Sequence, residues 1–127
     1  MPVITQKFIF RSDLRSNPDV KYLFGDNLKR VGLGGQAKEM RGEPNAIGVA
    51  TKRAPGMRAD DFFDDHDLRS LQKAIDEDLE PARAHLRGGG TIVIPEDGLG
   101  TGLSELPKRA PLVNKFLSDA LIGLRKL

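Results

Sequence analysis

The stretch Thr91-Ile-Val-Ile-Pro-Glu-Asp-Gly-Leu-Gly-Thr-Gly-Leu103 decides how this chain is read. Its first five residues are mostly β-branched or apolar and follow Gly88-Gly-Gly90, which predicts a short buried strand over 91–95. Gly98, Gly100 and Gly102 then break the strand, and beyond them Leu112, Val113, Phe116, Leu117, Ala120 and Leu124 recur at helical spacing. Pro111 suits an early position of that helix. Upstream, Gly32-Leu-Gly-Gly-Gln-Ala37 repeats the plan, between a strand-like run over 19–24 and a short helix over 35–41. A strand that ends in glycines and opens into a helix offers free backbone N–H groups and the positive end of a helix dipole, a setting that suits phosphate. Two such turns point to a pyrophosphate held from both sides. Each also has a plain alternative as a tight strand-to-helix corner.

Outward from these turns the pattern alternates. Residues 3–10 read as a first strand, 12–18 as a turn, and 46–51 as a buried third strand ending at Lys52-Arg53. Leu68, Leu71, Ile75, Leu79, Ala82 and Leu86 mark one face of a long helix, with Pro81 expected to kink or break its last turns. Strands separated by helices predict an α/β fold, with a mixed, mostly parallel sheet flanked by helices in three compact layers. Ligands of such sheets bind at the carboxyl ends of the strands. Both glycine turns and Lys52 fall at such ends.

At 127 residues, one domain is expected. The chain has no cysteine, which excludes disulfide and thiolate chemistry. No signal-peptide pattern or long apolar run is present, so no membrane partner and a cytoplasmic location are the expectation. A net charge of +2, scattered basic residues and 6% aromatics argue against a nucleic-acid partner. Asp60-Asp-Phe-Phe-Asp-Asp-His-Asp67 is the densest charged cluster. Its place before the long helix fits dipole compensation and capping by Asp67 better than a metal site, so no metal and no cofactor are expected.

Gly32-x-Gly34-x-x-Ala37 formally fits a dinucleotide fingerprint, which keeps an NAD-type enzyme as an alternative. Against it, residues 26–31 separate this turn from its strand, and Lys52-Arg53 stand where the fingerprint needs an acid. The loop over 31–37 has no acidic residue and is flanked by Lys29, Arg30 and Lys38, which favours an anion. Lys52 is the candidate nucleophile, since burial and a neighbouring cation lower an amine's pKa. Its plain alternative is a surface lysine.

In this order the pieces resemble a macrodomain, the ADP-ribose-binding α/β module, and most closely its terminal ADP-ribose protein glycohydrolase branch. The resemblance covers about residues 4–121. It implies that Asp13, followed by Leu14, holds the adenine amino group, and that Asp26 and Asn27 stand near the distal ribose. Gly32, Gly34, Gly35 and Gln36 are implied to wrap phosphate and ribose, and Gly98, Gly100, Thr101, Gly102 and Leu103 to cradle the diphosphate. Thr51-Lys52 matches the branch's threonine-lysine pair, which implies attack by Lys52 on the anomeric carbon. The branch has an aspartate just after the second loop. Here Ser104 stands there, with Glu105 one place along and Asp97 earlier in the loop. The implied partner is ADP-ribose or an ADP-ribosylated molecule, met either by a hydrolase using Lys52 and Glu105 or by a non-catalytic reader.

Overall fold

The structure, a computed structural model, describes residues 2–102 and 104–127. Four strands, β1 (Val3–Gln6), β2 (Val20–Asn27), β3 (Ala46–Lys52) and β4 (Thr91–Pro95), form one sheet in the order β1-β4-β2-β3. Every neighbouring pair is parallel, so all the carboxyl ends share one edge. Strand side chains alternate between faces. Leu23, Val49, Ile92 and Ile94 pack with the long helix α3 (Leu68–Arg87) and with α5 (Pro111–Leu124). Tyr22, Phe24 and Val93 pack on the other side with α1 (Arg11–Ser16) and α2 (Ala37–Met40). The result is an α/β fold of three layers, as the alternating pattern predicts.

The apolar stripe of α3 behaves as its spacing requires. Leu71, Ile75 and Leu79 are at most 2% exposed, and each such burial contributes about 1.5–3 kcal/mol. The helix runs unbroken through Pro81, which is exposed, while Leu79, Ala82 and Leu86 remain packed on the sheet. That packing carries the helix past Pro81, where a kink or break is expected.

Other boundaries also move. The turn expected over 12–18 is largely the helix α1, started by the Asp13 carboxylate accepting from the Phe10 N–H at 2.8 Å and anchored by buried Leu14. This shortens the first strand to Gln6. Strand β2 runs on to Asn27, so Asp26 and Asn27 belong to its end. A short helix, α4 (Leu106–Arg109), precedes α5. Asp67 does not cap α3 with its side chain, because its carboxylate pairs with Arg53 and accepts from the Asp64 N–H. No helix of the described residues is long and apolar enough to cross a membrane.

Candidate functional site

Strand β2 is followed by a loop leading to α2 on one face of the sheet, and its neighbour β4 by a loop leading to α4 and α5 on the other. Chains leaving adjacent parallel strands in opposite directions open a crevice at the strand ends. A cavity of about 210 Å³ lies there. Gly34, Gly35 and Gln36 form one wall and residues 97–102 the other, with Gly25 and Ser104 between. Among the described residues, the N–H groups of Gly34, Gly35, Leu99, Gly100 and Thr101 have no protein acceptor. Loops that line a cavity and carry unpaired N–H donors are suited to anionic oxygen.

Two glycines make this approach possible. Gly100 has φ +78°, and a Cβ there would lie 3.0 Å from the Leu106 side chain. A Cβ on Gly25 would lie 3.2 Å from the Thr51 hydroxyl and 3.4 Å from the Gly100 nitrogen. The helices behind the loops, however, have only four residues each. The dipole expected from the sequence is therefore small, and the loop N–H groups carry the attraction.

A second cavity of about 70 Å³ shares Gly25, Gly34 and Ser104 with the first and extends to Lys52. Lys52 ends β3 and is 6% exposed. Its ammonium donates to the Gly56 carbonyl at 2.5 Å and lies 4.5 Å from the centre of the Phe62 ring. Burial pushes its pKa below the usual lysine range; Asp61 and Glu105 oppose this and Arg109 adds to it. A buried amine beside a polar cavity is the setting of a reactive lysine. Ser104 meets Thr51, hydroxyl to hydroxyl, at 2.7 Å, and the Thr51 hydroxyl lies 3.1 Å from the Asp26 carbonyl. Each hydroxyl has one proton, and the carbonyl only accepts. Both contacts are satisfied when Ser104 donates to Thr51, which leaves Ser104 an acceptor toward the cleft.

Lys52, Gly32, Gly34, Gly35, Gln36, Gly98, Gly100, Thr101, Gly102 and Ser104 thus line two adjoining cavities. Asp26 and Asn27 line the smaller one, but their polar groups face the protein. The Asp26 carboxylate accepts from Arg41 at 2.5 and 3.2 Å, while the Asn27 amide donates to the Val31 carbonyl and accepts from the Lys29 N–H. Arg41 also donates to the Gly32 carbonyl at 2.7 Å, so it ties the first glycine loop to β2. Sequence reading missed Arg41. Only its pairing across 15 residues reveals it.

The remaining candidates stand elsewhere. Asp13 holds the Phe10 N–H and the Gln6 amide, Leu14 is in the core, and neither lines the two cavities. Glu105 is not among the lining residues and pairs with Arg109 at 3.4 Å. The Thr101 hydroxyl donates to the Asp97 carbonyl at 2.9 Å and closes its own loop. Leu103 lies outside the described residues. Three of the aspartates over 60–67 hold backbone N–H groups: Asp61 that of Arg58, Asp64 that of His66, and Asp65 that of Leu112 at the start of α5. Among the described residues no acidic or histidine group is arranged to hold a metal.

The chain matches the model of a family of unknown function (DUF7831) over residues 4–120, most of its length, and belongs to that family. No curated protein and no solved structure matches it.

Proposed function

We propose that this member of DUF7831 is a macrodomain-like protein that binds ADP-ribose or a close nucleotide derivative, with Lys52 placed to act on the distal ribose. One observation carries this reading: two glycine loops whose N–H groups include several without a protein acceptor line a single cavity, and that cavity adjoins the one lined by Lys52. The diphosphate would lie between the loops, where charge-assisted hydrogen bonds contribute about 1.5–3 kcal/mol each. Fixing the phosphates places C1″ against the amine. In the hydrolytic form of the proposal, the neutral Lys52 amine bonds to C1″ as the C1″–O bond to a carboxylate ester breaks. The carboxylate leaves and C1″ is held by the Lys52 ammonium; water then attacks C1″ as the C1″–N bond breaks, which returns the neutral amine and releases one proton to solvent.

Calorimetry with ADP-ribose, AMP and NAD tests the ligand. The expected result is micromolar affinity for ADP-ribose, about 8 kcal/mol, with weaker binding of AMP. Preference for NAD selects the dinucleotide alternative, and binding of none of the three removes the proposal. Lys52→Ala should bind ADP-ribose and fail to release it from an ADP-ribosylated protein.

A specific observation favours a second reading, the non-catalytic reader. Ser104 stands where the resembled branch has its aspartate, and the Glu105 carboxylate is turned to Arg109. Binding heat without turnover by the unmutated protein selects it.

A further inference from the structure

The ring of Phe62 organises a second arrangement at the end of β3, outside the lining of the cleft. Phe62 is 2% exposed and pairs with Lys52 as an isolated antiparallel bridge. The Arg53 and Ala54 N–H groups both donate to the Asp61 carbonyl, at 2.9 and 3.3 Å. Residues 53–61 are thereby closed into a loop whose base is Lys52 and Phe62. The Lys52 ammonium is 4.5 Å from the ring centre, and the guanidinium carbon of Arg109, from α4, is 3.8 Å from the same point. An aromatic face attracts cations at these distances. Two cations sharing one ring also repel each other. Glu105, 3.4 Å from Arg109, moderates that repulsion.

We infer that Arg109 is a positioning residue for Lys52, acting through the Phe62 ring, and that Glu105 sets how strongly it acts. Arg109 packs on Phe62, and Phe62 supports the ammonium that points to the Gly56 carbonyl. Among the described residues, Asp61 of its own loop also acts on Lys52, and the Asp26–Arg41 pair lines the smaller cavity with it. Asp26 and Arg41 offset each other, whereas Arg109 and Glu105 influence the amine in opposite senses. The inference concerns the amine itself and does not require ADP-ribose to be the ligand.

Trace acetylation of the intact protein with acetic anhydride tests it. The Lys52 rate is followed by peptide mass spectrometry relative to exposed Lys115, across a pH series. Removing the cation with Arg109→Gln should slow Lys52 by about two- to threefold around pH 8 and move its profile to higher pH. Glu105→Gln should do the reverse. Arg109→Lys keeps the charge and should retain the rate more fully than Arg109→Gln. A merely structural role for Arg109 would change the melting temperature and leave the Lys52 profile in place. An unchanged profile in Arg109→Gln, or shifts of the same sign in both variants, overturns the inference. Should Arg109→Gln fail to fold by circular dichroism, Glu105→Gln decides alone, and a profile unchanged or moved upward overturns it.

Discussion

Arg41 shows how one side chain can define a loop made largely of glycine. Its guanidinium joins the buried Asp26 carboxylate on β2 to the carbonyls of Val31 and Gly32 in the loop. Gly48, on the neighbouring strand β3, leaves room for that carboxylate, since a Cβ there would lie 2.6 Å from its oxygen. Removing Arg41 leaves the buried Asp26 carboxylate with only the more distant Arg30 as a cationic partner, at 3.7 Å, and the cost falls below the roughly 3–5 kcal/mol of a fully buried pair. Arg41→Ala is therefore expected to be destabilised in urea unfolding. The double change Arg41→Met with Asp26→Leu should recover much of the loss, because no charge is then stranded. A double variant no more stable than Arg41→Ala would show that shape, not charge, sets the cost.

Among the elements, α1 was the least legible in the sequence. A six-residue helix carries little periodicity, and its stability comes from contacts rather than propensity. Beside buried Leu14 and the Asp13 cap, one further contact ties the helix in place. The buried Asn45 amide donates to the carbonyls of Leu14, Asn17 and Val20, at 3.0, 3.1 and 2.9 Å, and so joins α1 to the start of β2. Asn45→Ala leaves those carbonyls short of a donor, costing about 1–3 kcal/mol. Hydrogen exchange should show α1 amides accelerating while those of β4 stay protected. Uniform acceleration across the sheet would argue against a local role for Asn45. By contrast β4, bounded by glycines and rich in β-branched residues, was legible to the residue. The long helix α3 was legible from its stripe alone.

At the scale of the whole molecule, the parallel sheet delivers two loops and the end of β3 to one edge. The buried Lys52 makes that edge a source of pH-dependent stability. Its folded pKa is lowered by burial, so between that pKa and the usual lysine value of 10.5 the unfolded chain binds a proton that the folded chain does not. Stability from this group therefore rises with pH through that window, and its penalty is full below it. Lys52→Met, of similar length and uncharged, should be more stable than the unmutated protein at neutral pH. The advantage should shrink as pH approaches 10.5. Melting temperatures across that range check this, and a constant difference would contradict the assigned cause.

The sequence by itself determined the α/β class, the identity of β4, α3 and α5, and the placement of two glycine turns and Lys52 at strand ends. These follow from local quantities: period, β-branching and glycine content. Packing in three dimensions is what brings both turns to line one cavity, sets Arg41 on Asp26, and turns Glu105 to Arg109. The physical reason is that a polar side chain is committed by whichever partner lies within hydrogen-bonding distance. For Asp26 that partner is 15 residues away along the chain, a separation that neither period nor composition records.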